Sequence, residues 1–313
     1  MNTFAPANEA APQNPLQRAR DLQLPSRDAM LQREPSVQQF WDHNTHLLID
    51  AWEAWENENR DKLPAIDETL LDKRLREAVE QAWKDPAKET AVQDLWEEIS
   101  PSVFYCQFFD PHRLADLRNY LNAVADAGIP LRPPYGIALN RGGAMLDPRS
   151  EGYIAAPGFQ VLYRTLIDKY MRPVARLLFP EVVGYDTQTF GFSINYQANT
   201  DTSLRPHTDA SAATLNINMN LPDEAFTGSE VDFVDPHSGK VNRTVFEPGT
   251  AMLHRGNVPH TAQPITSGSR SNLVLWLYGD RMQIPRFAVQ QEDINASQRW
   301  TTPAGHFDNF APF

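Results

Sequence analysis

The apolar positions of this chain change their period along the sequence, and the changes divide it before any residue chemistry is considered. Residues 1–35 hold no sustained period and carry prolines at 6, 12, 15, 25 and 35 among Ala, Gln and Asn, which predicts an extended or disordered N-terminal arm. From Ser36 helical spacing sets in: Ser36 and Gln39 form a capping box, and Trp41, Leu48, Trp52 and Trp55 fall on one stripe. A second helix is predicted from Asp67, burying Leu71, Leu75, Val79 and Ala82, and a third from Ala87 towards Ile99, where Pro101 forbids continuation. A β-rich run at 102–109 precedes a helix that starts at Asp110-Pro111 and stops at Gly128. Glycine and proline then punctuate an irregular stretch, 129–157. Residues 159–179 read as an amphipathic helix with Pro173 as a kink.

After Gly184 the period drops to two. Short β-rich runs at 187–198, 213–221, 230–234, 240–246, 251–254, 260–265 and 271–279 are separated by turn signals, the texture of an antiparallel sandwich or small barrel. Leu215, Ile217 and Met219 alternate with Thr214, Asn216, Asn218 and Asn220, and Leu273, Leu275 and Leu277 alternate with Arg270, Asn272, Val274 and Trp276. A polar face ordinarily meets solvent. Here it is expected to face inward, because the N-terminal helices need an apolar sheet face to cover and a ligand cavity needs polar walls. The resulting division is an arm at 1–35, a helical region with a lid loop at 36–184, a β core at 185–280, and a tail at 281–313 that packs on the core.

Charge and cysteine content narrow the class. Lysine and arginine number 28 against 40 aspartates and glutamates, a net charge of −12, which opposes nucleic acid or an anionic membrane as the main partner. The lone cysteine, Cys106, builds no intrachain disulfide, thiolate zinc site or iron–sulfur cluster, fits a reducing cytoplasmic setting, and reads as a small buried hydrophobe. No apolar run approaches the roughly 18 residues of a membrane span, and no signal-peptide pattern opens the chain, so a soluble protein is expected. Oligomeric state is not assigned by any of these features.

The densest chemistry lies in Arg205-Pro-His207-Thr-Asp209, with His260 and Arg270 downstream. Two residues apart on an extended backbone, His207 and Asp209 point to one side and can approach one cation. A second histidine, His260, completes a two-histidine, one-carboxylate set that occupies one face of an octahedron and leaves three positions open. Arginine grips a carboxylate through two parallel hydrogen bonds and stays charged when the ligand leaves. A hairpin turning at Ser267-Gly268-Ser269 would place Arg270 on the strand beside that of His260, and Asn216, Asn218 and Trp276 would share its polar face. His43, His46, His112, His237, His254 and His306 read as structural or solvent-facing.

The stretch Phe246-Glu-Pro-Gly249-Thr-Ala-Met-Leu-His-Arg-Gly-Asn-Val-Pro-His260, followed by Gly268-Ser-Arg270, resembles the 2-oxoglutarate and Fe(II)-dependent oxygenases of the prolyl-4-hydroxylase-like branch. Gly228-Ser229-Glu230-Val231-Asp232-Phe233 is similar to that branch's Gly-Gly-Glu-Leu-x-Phe strand, with Ser229 in place of the second glycine. The resemblance covers about residues 185–280. It implies an α+β chain whose core is a double-stranded β-helix, a jelly-roll barrel of cupin type, with the N-terminal helices on one sheet. It implies Fe(II), 2-oxoglutarate as co-substrate and O2, with His207, Asp209 and His260 on the metal and Arg270 on the distal carboxylate of 2-oxoglutarate. Tyr196 resembles a family tyrosine that contacts the co-substrate. The implied reaction oxidises an unactivated C–H bond of an amino acid, peptide or small metabolite, by default to the alcohol, with release of succinate and CO2; desaturation and ring formation stay open. Arg205, Asn140 and Arg141 are the polar groups suited to grip that substrate. A non-catalytic cupin-like metal- or ligand-binding protein and a zinc hydrolase are the alternative readings.

Overall fold

Prolines that look like breakers in the sequence mark helix starts in the structure, because the first turn of a helix leaves its N–H groups unbonded in any case. The computed structural model describes residues 14–134, 142–279 and 294–302. Its helices begin with α1 (Pro15–Arg20), α2 (Arg27–Gln32) and α3 (Pro35–Asn59). The expected arm is therefore corrected for residues 14–34. Asn14 caps α1, Ser26 caps α2, and Leu16 and Ala19 are buried in the main core, which an extended arm could not achieve. Residues 1–13 lie outside the described residues. α3 starts two residues earlier than the capping-box reading placed it: Pro35 is its first residue and Ser36 makes no cap, while Trp41, Leu48, Trp52 and Trp55 are buried as expected.

Asp67 caps only a 3-10 turn, and Asp72 caps α4 (Lys73–Lys84), which buries Leu75, Val79 and Ala82. The third expected helix is corrected to a single turn, α5 (Thr90–Gln93), after which β1 (Glu97–Ser100) turns back on β2 (Val103–Gln107). Pairing with β2, which is itself paired with distant β9 (Thr250–Arg255), overrides the local helical spacing there. α6 (Leu114–Ala125) follows a turn in which Asp110 accepts from the His112 N–H. Around Pro173 the helix changes its winding without leaving helical conformation: α7 (Pro157–Thr165) passes through a π-helical turn at Leu166–Met171 into α8 (Arg172–Leu178). Proline has no N–H to give the Lys169 carbonyl four residues before it, and Trp83 Nε1 donates to that carbonyl instead, at 2.9 Å.

The remaining elements are β3 (Gln188–Gln197), β4 (Leu204–His207), β5 (Ala213–Asn218), β6 (Thr227–Gly228), β7 (Val231–Val234), β8 (Val241–Thr244), β10 (His260–Ala262), β11 (Ile265–Ser267), β12 (Ser269–Tyr278) and α9 (Ala296–Arg299). A six-stranded antiparallel sheet runs in the order β1-β2-β9-β5-β12-β3, and a four-stranded one in the order β4-β10-β7-β8, with β11 and β6 forming a small pair. The 36–184 region thus contributes two strands of the large sheet besides its helices. Leu215, Ile217, Ala251, Leu253, Leu273, Leu275 and Leu277 share a core with the helices, so the apolar face of the large sheet is the helix-covered one and the polar alternates point the other way.

Arg270 is corrected in one respect. Its strand, β12, pairs with β3 and β5, while the strand of His260 pairs with β4 and β7, so the two residues belong to different sheets. The chain crosses between the sheets at 262–268, with Gly268 at φ 71 in the turn. The described part of the tail docks on the helices and not on the β core: Arg299 pairs with Glu89, Trp300 Nε1 donates to Glu89 at 2.9 Å, and Arg176 donates to the Thr301 carbonyl at 2.8 Å. Among the described residues no helix is long and apolar enough to cross a membrane.

If α1 is part of the core, Leu16→Ala should lower unfolding free energy by about 2–5 kcal/mol in a denaturant titration. An unchanged midpoint would return this segment to a loose arm.

Candidate metal centre

β10 lies between β4 and β7, and its register sets His260 directly across from His207. Two histidines far apart in sequence thereby become cross-strand neighbours with ring centroids 4.3 Å apart. Asp209 lies just past the end of β4, where its N–H donates to the Gly256 carbonyl at 2.8 Å. Ligand atoms of His207, Asp209 and His260 lie within 4.8 Å of one another, a grouping that could hold a metal ion. The donor set fits such an ion in its tautomers as well. His207 Nδ1 is 2.7 Å from the Arg205 carbonyl and His260 Nδ1 is 3.0 Å from the Val258 carbonyl, so each Nδ1 donates and each Nε2 keeps its lone pair. Both Nε2 atoms face Asp209 Oδ1, at 3.4 and 3.8 Å.

Burial and mutual charge act on these groups in opposite senses. Burial alone would raise the Asp209 carboxyl, but the His260 charge and the hydrogen bond to His207 outweigh it and hold the group well below the usual carboxylate range. Burial opposes a charged His207, yet Asp209 overrides it and the imidazole lies above its ordinary value. For His260 burial prevails and the imidazole is pushed down.

A cavity of about 290 Å³ opens between the two sheets over this cluster. Tyr196, Asn216, Arg270 and Trp276 line it from the large sheet, and Arg205 and Val231 from the small one. Arg270 is 1% exposed, donates through Nη1 to the Ser229 carbonyl at 2.6 Å, and packs over the rings of Tyr196 and Phe246 at 4.5 and 5.2 Å. Its Nε has no hydrogen-bond partner, and a buried guanidinium with an unused donor fits a carboxylate ligand. Ser229 presents that carbonyl from a left-handed conformation, φ 62, the conformation that suits the glycine found at this place in the motif it resembles.

The other expected residues divide. Tyr196 and Asn216 line the cavity, and Asn216 accepts from Asn272 Nδ2 at 2.6 Å. Asn218 does not line it: the side chain is fully buried and bonded to Asn220 and Asn272. Trp276 lines the wall six residues from Arg270 along β12, which at the strand rise is about 20 Å away, and it packs with Phe190 and Phe192. It lies at the opposite end from the arginine. Arg205 is exposed at the rim, whereas Asn140 and Arg141 lie outside the described residues.

His254 was read as an ordinary histidine, and the structure corrects this. It is 1% exposed on β9, its ring is 4.7 Å from that of His260, and its Nε2 is 3.9 Å from Asp209 Oδ2. Burial, and then the charge of His260, push it down to about 4, so it is neutral near pH 7. The same alternation read on β5 and β12 would have found it: Ala251 and Leu253 face the helices, so Met252 and His254 face inward.

No family model matches the chain. It is 31% identical over 194 residues to 2-oxoglutarate and iron-dependent oxygenase domain-containing protein ICU11 of Arabidopsis thaliana, covering 57% of this chain and 46% of that protein. It is 30% identical over 186 residues to 2-oxoglutarate and iron-dependent oxygenase domain-containing protein 2 of Xenopus tropicalis, covering 56% and 48%. Over 140 residues it is 30% identical to multifunctional procollagen lysine hydroxylase and glycosyltransferase LH3 of Rattus norvegicus, covering 42% and 18%. The chain spans about half the length of the first two relatives. The resemblance read from residues 185–280 is thus to the class of protein these relatives are named for.

A proton and a metal compete for the His207 imidazole, and the raised value means that competition begins above the ordinary 6.5. Affinity for a divalent cation, measured by titration across a pH series, should therefore fall about tenfold per pH unit once His207 protonates. His260, pushed down, should join only at lower pH. An affinity that stays flat down to pH 6 would contradict this geometry.

Proposed function

We propose that this chain is an Fe(II)- and 2-oxoglutarate-dependent oxygenase that oxidises an unactivated C–H bond, by default to the alcohol, with release of succinate and CO2. The observation that carries the reading is the pairing, in one cavity between two sheets, of an open two-histidine, one-carboxylate cluster with a buried arginine that has an unused donor. A structural zinc site would close its coordination with a fourth protein ligand, and an open cluster is what a chelating co-substrate and dioxygen require. Iron bound there would supply the activation of dioxygen.

The chain's own residues do the rest. Arg270 binds the distal carboxylate of 2-oxoglutarate, and Tyr196, stacked under the guanidinium, keeps it in place. The Nδ1 hydrogen bonds of His207 and His260 hold their Nε2 atoms towards the cluster. Trp276 and Phe192 form an apolar wall at the far end, and Arg205 stands at the rim as the described cation for an anionic or amide group of the substrate. The names of the relatives, one of them a procollagen lysine hydroxylase, support a peptidyl or free amino-acid substrate. In this reading the two sheets are the halves of a double-stranded β-helix, residues 185–280 are the catalytic core and 36–184 its cover. The buried thiol of Cys106 fits a cytoplasmic setting.

Succinate formation from 2-oxoglutarate in iron-loaded protein tests the reading. His207→Ala, Asp209→Ala and His260→Ala should each abolish it while leaving the fold intact by circular dichroism. Intact protein that consumes no 2-oxoglutarate with iron present would overturn it in favour of cupin-like binding or zinc hydrolysis, neither of which uses this co-substrate. Arg270→Ala should cost about 2–5 kcal/mol of co-substrate binding, a rise in half-saturation of at least about thirtyfold. An unchanged 2-oxoglutarate titration would remove Arg270 from this role.

A further inference from the structure

The two oxygens of the Asp209 carboxylate meet different surroundings. Oδ1 faces the imidazoles of His207 and His260, whereas Oδ2 accepts a hydrogen bond from Thr214 Oγ1 at 2.7 Å. A threonine hydroxyl has one proton, and here it goes to Asp209. The 2.8 Å contact between Ser211 Oγ and Thr214 Oγ1 is therefore Ser211 donating. Ser211, Thr214 and Asp209 form a directed chain in which each hydroxyl orients the next.

The chain is held rigidly. Thr214 and Ser211 are 1% and 2% exposed, and Thr214 sits in the middle of the large sheet between His254 and Trp276. Its branched Cβ restricts the hydroxyl to few positions. The turn at Gly256 presses on Ser211 so closely that a Cβ there would lie 2.0 Å from the Ser211 carbonyl oxygen, and the Gly256 carbonyl in turn accepts the Asp209 N–H.

We infer that Thr214, oriented by Ser211, is a positioning residue that holds Asp209 as a one-oxygen ligand by keeping Oδ2 engaged; this rests on the metal-binding reading above. A carboxylate that presents both oxygens fills two positions of an octahedron, and beside two histidines it leaves two open. A chelating co-substrate and dioxygen together need three. The Ser211–Thr214 pair preserves that number.

Cobalt(II), titrated into metal-free protein, tests the inference without turnover, since its visible absorption reports coordination number. Thr214→Val, which keeps the shape and removes the hydroxyl, should weaken cobalt binding about tenfold or more and change the absorption spectrum. Thr214→Ser should restore both. Wild-type affinity and spectrum in Thr214→Val, or failure of Thr214→Ser to restore them, would overturn the inference, the second outcome assigning the effect to packing. Should Thr214→Val not fold, Ser211→Ala decides: a spectral change in the same direction supports the chain, and an unchanged spectrum overturns it. Wild-type protein that binds no cobalt overturns the metal-site reading itself and the clamp with it.

Discussion

The large sheet is covered on both faces, by helices on one and by the cavity on the other, and strand alternation decides which side chain meets which. β12 is held in register by β3 along its whole length and by β5 over most of it, so Leu273, Leu275 and Leu277 meet helices while Arg270, Val274 and Trp276 meet the cavity. A slip of one residue would exchange Arg270, Val274 and Trp276 with the leucines, drive a guanidinium into the helical core and line the cavity with leucine. The position of every cavity residue on this sheet depends on that register.

Within the cavity two buried charges are kept apart and satisfied by different means. Asp209 is surrounded by donors and imidazoles, so its charge is stabilised despite full burial. Arg270 has a carbonyl and two aromatic rings beside it and an Nε without a hydrogen-bond partner. The two opposite charges line one cavity.

The helical layer is tied together by partly buried polar contacts as well as by its tryptophans. Glu56 accepts from the Gly158 N–H at the start of α7 and from Tyr120 Oη, fastening α3, α6 and α7 together. Glu89 receives Arg299 and Trp300, and Trp83 occupies the carbonyl that Pro173 leaves open. The helices so linked share their apolar core with the large sheet.

The sequence by itself determined whatever follows from period and spacing. The tryptophan stripe of α3, the strand runs after Gly184, the polar alternates of one strand face and the pairing of His207 with Asp209 all follow from spacing between residues close in the chain, and His260 was legible from the order of residues in a motif. Tertiary structure alone decided where distant segments pair. Residues 97–100 have helical spacing and become a strand because β2, itself paired with distant β9, offers an edge; residues 14–34 have breakers and become helices because α3 offers a surface for Leu16. His254 came to lie beside the cluster, Asn218 left the cavity wall, and Arg270 moved to the sheet opposite His260 for the same reason. Hydrogen bonds between strands and the burial of a particular face are settled by what lies across the fold, and local sequence carries no record of that neighbour.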